Sequence, residues 1–475
     1  MTTRTRAGRS TPVRLMGLAS IVLPGVVGGV TGAARADAGA QDWVTRHDGP
    51  AHSFDRAAAV EVGGDGTTVF VTGTSAGSGD DVWATNDYAT VAYDAATGGE
   101  LWARRYDGPG GGYDAPTALT VSPDRSAVFV TGKSRGAARS LDYATIAYDA
   151  STGTRLWVRR HEGDDRDAAH DLGISPDGSM VFVTGQSEGP TRNARFATLA
   201  YDASTGARLW TAMYDGPEGR RDSADALDVG PDGTVFVTGL STGSTTGYDF
   251  VTIAYDGASG AELWERRAAR FDAPRDLALS PDGSTVFVTG HGTDPTSNTY
   301  DIATVAYDGT SGDRLWAARY DGPAGGRDEA AAVEVSPDGS AAFVTGTSAG
   351  STTGLDFVTL GYQASTGQRL WARRYDGPGS GDDVAAGAGV HPDGSEIYVT
   401  GSSRGSTTGA DYTSLAYDAA TGSRLWVERF TGPGTRADWA AGLAMAPDGS
   451  HAFVTGTSSR TQLDQDYATI AYTTT

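Results

Sequence analysis

The chain contains no cysteine. That excludes disulfides, thiolate metal sites, haem attachment through C-x-x-C-H, cysteine nucleophiles and cysteine-borne lipid anchors, so stability has to come from packing alone. Basic residues are also few: 37 Lys and Arg stand against 59 Asp and Glu, for a formal charge of -22. A surface this acidic repels nucleic acid and anionic membranes unless a local patch overrides it, so no nucleic-acid partner is expected. After the first 36 residues no stretch approaches 18 consecutive apolar residues, so no membrane span is expected either. Recognisable catalytic sets are missing. There is no G-x-S-x-G elbow, and His47, His52, His161, His170, His291, His391 and His451 show no metal-ligand spacing. The "GSTTG" loops lack the lysine and following helix of a phosphate loop, and their plain role is linkage between strands.

The first 36 residues stand apart. Arg4, Arg6, Arg9 and Arg14 precede a glycine-broken apolar run from Leu15 to Val30, and Ala34-Arg35-Ala36 is a small-x-small cleavage signature. This reads as a secretory signal peptide, 1–36, whose removal takes away five arginines and no acid. The remaining 37–475 are expected to be a secreted, extracytoplasmic monomer.

What the chain has in abundance is repetition. The triplet Val-Thr-Gly begins at Val71, Val130, Val183, Val237, Val288, Val344, Val399 and Val454, a spacing that signals a solenoid or a propeller. Each copy has four short parts, as in "DEAAAVEVSPDGS" (328–340), "AAFVTG" (341–346), "DFVTLGYQ" (356–363) and "RLWARRY" (369–375). Their alternating polarity, Val/Thr/Tyr/Trp content and Gly/Pro/Asp punctuation predict four antiparallel strands per copy, a to d. One such sheet cannot bury both faces, so copies must stack.

The ends choose between an open array and a ring. The first segment, "DWVTRHDGP" (42–50), is a lone d strand, and the last, "DYATIAYTTT" (466–475), is a lone c strand. Each supplies what the other lacks. The expectation is therefore an all-β fold, an eight-bladed β-propeller of four-stranded antiparallel blades, closed by the N-terminal strand pairing into the last blade. The blades fall at about 55–106, 114–160, 167–214, 222–268, 272–320, 328–375, 383–430 and 438–473.

The stretch "AYDASTGTRLW" (147–157), which recurs at 199–210 and 416–426 and weakens to "GYQASTGQRLW" at 361–371, resembles the tryptophan-docking motif of the pyrroloquinoline quinone (PQQ) enzyme repeat family. The Pro-Asp-Gly and "VFVTG" stretches also resemble YVTN-type propeller repeats. The resemblance implies an eight-bladed propeller and two functional classes, quinone dehydrogenases and a non-enzymatic outer-membrane assembly lipoprotein. In the dehydrogenases it implies PQQ over the ring centre with calcium, a catalytic Asp and a wall made by a disulfide of adjacent cysteines. This chain cannot make that wall, and its copies lack the long insertions that usually build such a site.

Comparing the copies with one another separates shared architecture from departures. Trp43, Trp102, Trp157, Trp210, Trp264, Trp316, Trp371 and Trp426 occupy every d strand, where a large apolar body can fill the gap between blades and one N–H needs an acceptor. Asp55, Asp114, Asp167, Asp222, Asp272, Asp328, Asp383 and Asp438 stand at the start of every a strand. They form either a cation ring at one channel mouth or a set of acceptors for backbone or serine hydrogen bonds from the b–c loops, and the second reading is preferred. Strand c begins with Asp in seven copies and strand d carries Arg in seven, a pattern that predicts inter-strand ion pairs. Only the third copy breaks it, with Arg195 for the Asp and Met213 for the Arg.

The same copy gathers Arg192, Arg195, Arg220 and Arg221 in loops of one face, a candidate site for a carboxylate or phosphate unless Glu188, Glu218 and Asp222 simply balance it. Trp83 and Trp439 lie outside the repeat on neighbouring blades, a candidate stacking pair for a sugar or flat ligand. The expected function is a non-catalytic scaffold that binds a protein, glycan or small ligand at the channel mouth, with no cofactor. The alternative is a quinoprotein-like oxidoreductase using PQQ and calcium.

Overall fold

The computed structural model describes residues 38–474 apart from 78–85, 138–139, 190–192, 244–246, 295, 298, 435 and 462–463. The chain folds into eight four-stranded antiparallel sheets, and among the described residues there is no helix. Blade 1 comprises strand a (Asp55–Val62), b (Thr68–Ala76), c (Asn86–Asp94) and d (Glu100–Tyr106). Blades 2 to 7 repeat this order through 114–161, 167–214, 222–268, 273–320, 328–375 and 383–430.

Blade 8 contributes Trp439–Met445, His451–Ser459 and Gln465–Thr473, and its fourth strand is Gln41–His47 from the other end of the chain. That closing strand pairs antiparallel with strand c of blade 8, Val44 opposite Ile470 and Arg46 opposite Ala468. The expected ring is thus closed by the two ends, and strand c of the last blade keeps no free edge.

The core lies between blades. One cluster joins Phe129, Tyr143 and Trp157 of blade 2 to Leu172, Val183, Leu199 and Tyr201 of blade 3, and the others repeat the arrangement around the ring. Strand b is buried along most of its length because both its faces meet a neighbouring sheet. The threonines of Val-Thr-Gly are hidden there because each finds a partner on strand c, a hydroxyl in seven blades, as Thr131 meets Thr145 at 2.9 Å and Thr184 meets Thr198 at 2.9 Å, and in blade 6 the Val358 carbonyl, 3.2 Å from Thr345.

Two glycines per repeat explain why the sequence recurs. A Cβ on Gly185 would lie 2.1 Å from the Ala168 carbonyl and 2.8 Å from the Tyr143 hydroxyl of the preceding blade. Gly206 has φ +69, and Trp157 of the preceding blade covers it, 2.7 Å from where a Cβ would stand. Only glycine meets both demands at Gly206. At the ring closure Gly39, with φ +83, takes this part beneath Trp426.

Candidate functional site

The b–c and d–a loops emerge on one face, around the mouth of the central channel. The eight aspartates opening the a strands sit there but do not stand free. Asp114 accepts from Gly108 N at 2.7 Å and Arg135 N at 2.8 Å, and Asp383 accepts from Gly377 N at 2.6 Å and Arg404 N at 3.0 Å. Equivalent main-chain donors reach Asp55, Asp167, Asp222, Asp272, Asp328 and Asp438. In six blades they tie both the d–a and the b–c loop to strand a, while Asp55 holds the d–a loop through Gly49 N and Asp272 the b–c loop through Thr293 N. Burial pushes the carboxyls of Asp114, Asp167, Asp328 and Asp383 above their ordinary value, against the pull of these donors.

Seven Asp–Arg pairs link strands c and d. Arg160 reaches Asp142 at 2.6 Å, Arg374 reaches Asp356 at 2.7 Å, Arg105 reaches Asp87 at 2.8 Å and Arg429 reaches Asp411 at 3.0 Å. Arg267–Asp249 is 3.2 Å, Arg319–Asp301 3.6 Å and, through the ring closure, Arg46–Asp466 3.7 Å. The arginines also bind the recurring serines, as Arg160 does Ser134 at 2.7 Å.

Blade 3 departs from this. Met213 is exposed where the Arg would be, and Arg195 is half-buried with no hydrogen-bond partner for its Nε. Arg220 and Arg221 line a cleft of about 290 Å³ together with Gln186, Glu188, Asn193 and Ala194. Asn193 Nδ2 donates to the Gly219 carbonyl and Thr242 Oγ1 to the Arg221 carbonyl at 2.9 Å, which fixes the loop that carries the two arginines. Two guanidinium groups against one carboxylate leave the cleft cationic, suited to a carboxylate or phosphate. Arg192 and Trp83 lie outside the described residues.

A further departure was not read from the sequence. Every a strand carries a bulge, with a register shift three residues after its opening Asp position. The extra residue is unpaired and lines the channel: Ala58, Thr117, His170, Asp225, Arg275, Ala331, Ala386 and Ala441. Four consecutive blades present polar groups and the other four present alanine. Thr117 Oγ1 bonds the Ala169 carbonyl at 3.0 Å, His170 Nδ1 the Ala224 carbonyl at 2.7 Å, and His170 stands 3.8 Å from Asp225.

Burial pushes Asp225 up to about 7, despite Arg275 and Arg221 nearby, and its Oδ2 has no hydrogen-bond partner. Burial also lowers His170, reinforced by Lys133 and Arg221 and opposed by the Ala224 bond. On blades 7 and 8, across the channel, Val384 and Trp439 are 47% and 44% exposed at the mouth. The mouth is therefore two-sided, with charged channel residues over blades 3 to 5 and two exposed apolar side chains, Val384 and Trp439, over blades 7 and 8. The signal was present in the repeats, since this position is Ala in four copies and polar in the four consecutive others, but only the bulge shows that it faces inward.

The family model described as outer membrane protein assembly factor BamB matches residues 27–191 and 195–359. No curated protein sequence matches the chain. Among solved structures, the Dos1 propeller superposes with a TM-score of 0.60 at 13% identity, covering 91% of this chain and 95% of that one. Chaetomium thermophilum Sqt1, bound to the N-terminus of ribosomal protein L10, gives 0.59 at 14% identity over 91% of this chain and 100% of that one. The quinohemoprotein alcohol dehydrogenase of Comamonas testosteroni gives 0.53 at 13% identity, over 91% and 76%. At such identities the likeness speaks for the fold alone.

Proposed function

The chain belongs to the family of the outer membrane protein assembly factor BamB, and from that membership we propose that it is an exported, non-catalytic binding scaffold engaging its partner at the channel mouth. Residues 1–36 act as the secretion signal and 37–475 as one propeller unit. No described helix is long and apolar enough to cross a membrane. The observation that carries the reading is the two-sided mouth. Repetition serves the ring, so side chains spared from repetition and gathered on one face are free to serve a partner. The cationic cleft at Arg220 and Arg221 takes an anionic group, and Trp439 and Val384 take an apolar one.

The quinone-and-calcium arrangement implied by the dehydrogenase branch does not fit the channel residues. The chain has no cysteine for the stacking wall, and half the channel positions are alanine.

Photo-crosslinking from positions 221, 384 and 439 in the exported fraction tests the scaffold reading, with positions 177 and 338 in the turns of the opposite face as controls. Adducts from the mouth positions and none from the controls are expected. Equal labelling of both faces, or none, overturns the reading, and so does saturable, calcium-dependent quenching of tryptophan fluorescence by PQQ.

A further inference from the structure

The seven Asp–Arg pairs are not equivalent. In blades 1, 2, 4, 6 and 7 the guanidinium donates to the strand c carboxylate at 2.6 to 3.2 Å. In blade 5 Arg319 is drawn elsewhere. Its Nη2 donates to the Arg270 carbonyl, its Nη1 to the Gly292 carbonyl at 3.1 Å, and its guanidinium lies 4.6 Å from the centre of the Phe271 ring. The cause is local, because the loop leading into blade 5 replaces the usual Tyr-Asp-Gly-Pro with "RFDAP" (270–274) and puts a phenyl ring in the way.

Asp301 is left short of a donor. Its side chain is 3% exposed, Arg319 stays 3.6 Å away, and Oδ1 has no hydrogen-bond partner. Asp321, in the following d–a loop, and Asp328, opening strand a of blade 6, each bring a carboxylate oxygen so that all three ligand atoms lie within 4.8 Å of one another. Oxygens bound to one calcium ion at 2.3–2.6 Å can be at most about 5 Å apart, so the three fit a single coordination sphere. Three carboxylates face one arginine, which leaves a deficit that a divalent cation would close. Burial, with Asp321, Asp294 and Asp328 nearby, raises the Asp301 carboxyl to about 6. Asp328 accepts from Gly322 N at 2.8 Å and Ala349 N at 3.2 Å, and a carboxylate has lone pairs left for a metal.

The other three acidic groups differ in how much positive charge meets them, and in blade 1 Asp87, grouped with Asp107 and Asp114, takes Arg105 at 2.8 Å. In blade 6 both oxygens of Asp356 are filled, by Thr353 Oγ1 at 2.8 Å and Arg374 at 2.7 Å. In blade 8 Asp466, grouped with Asp48 and Asp464, is likewise buried with no hydrogen-bond partner for either oxygen, but two arginines rather than one stand against it, Arg460 at 3.1 Å and Arg46 at 3.7 Å.

We propose that blade 5 binds one divalent cation, calcium, between Asp301, Asp321 and Asp328, with water completing its shell. The site locks the d–a loop of blade 5 to strand a of blade 6. It is independent of the scaffold reading and of any quinone.

Calorimetric titration of the chelator-treated protein with calcium chloride is the test. One site per chain is expected, of the affinity usual for extracellular modules, about 10⁻⁴ to 10⁻³ M, with a raised Tm. Asp301→Asn and the exposed Asp321→Asn should each weaken binding at least about tenfold, whereas Asp356→Asn, the equivalent position in blade 6, should not. Absence of heat and of a Tm shift up to about 10 mM calcium overturns the proposal. Binding that survives Asp321→Asn overturns it as well, and because Asp321 lies at the surface, that variant stays informative even if Asp301→Asn folds poorly.

Discussion

At the scale of single residues, each strand d tryptophan is a dock between blades. Its indole N–H donates to a carbonyl of the next blade in seven of eight cases, from 2.7 Å for Trp316 to Ala364 to 3.1 Å for Trp264 to Gly309. Trp426 is the exception, its Nε1 without a partner among the described residues. Trp157→Ala should therefore cost about 3–5 kcal/mol in denaturant melts. Trp157→Phe should cost about 0.5–1.5 kcal/mol more than Trp426→Phe, since only the former loses a hydrogen bond, and equal costs would remove the bond from the account of docking. The channel carboxylate Asp225 gives a pH prediction. Its folded-state pKa is raised to about 7 by burial, so the folded chain holds this proton more tightly than the unfolded one. The associated stability is fully present below about pH 4 and is lost as pH rises through about 7. Asp225→Asn should match the parent at pH 4 and exceed it in Tm at pH 8, and identical pH profiles would mean the group is solvated.

At the scale of the hairpin, the Asp–Arg pairing follows from register. Arg105 is opposite Ala89, two residues along from Asp87, so the two side chains share a face. This was legible in the sequence because the two positions vary together, Arg195 appearing where Met213 does. The channel residues were not legible, because a bulge adds one residue inside a strand without altering the period of the repeat, and His170, Asp225 and Arg275 then look like ordinary strand positions. The drift of Arg319 away from Asp301 was hidden for a similar reason, since both residues are present and only Phe271 separates them. Restoring the missing pair in blade 3 is a direct check. Met213→Arg alone sets two arginines together and should destabilise, while Met213→Arg with Arg195→Asp should recover the loss, with a coupling of about 0.5–1 kcal/mol in a double-mutant cycle. A coupling indistinguishable from zero would make the seven pairs geometric coincidences of the hairpin.

At the scale of the molecule, the two ends announce closure because a lone d strand and a lone c strand are each half of a hairpin. The closing segment does three things at once. Its main chain covers the outer edge of strand c in blade 8 from Gln41 to His47, Gly39 seats Trp426 of blade 7, and Trp43 docks onto blade 1 with its N–H 2.9 Å from the Ala95 carbonyl. Arg46 adds a bond to Ser458 at 2.9 Å. Removing residues 38–47 from the exported chain therefore breaks the contacts of blade 8 with both neighbours and bares Gln465–Thr473, a nine-residue strand rich in Tyr, Ile, Ala and Thr with no charge beyond Asp466. Such an edge pairs readily with another copy. The truncated protein should elute as oligomers on size exclusion, melt at lower temperature and regain monomer behaviour when a peptide of residues 38–50 is supplied. A truncated chain that stays monomeric with an unchanged melt would show that seven complete blades hold the ring without its clasp, and stability would then reside in the pairwise interfaces between blades.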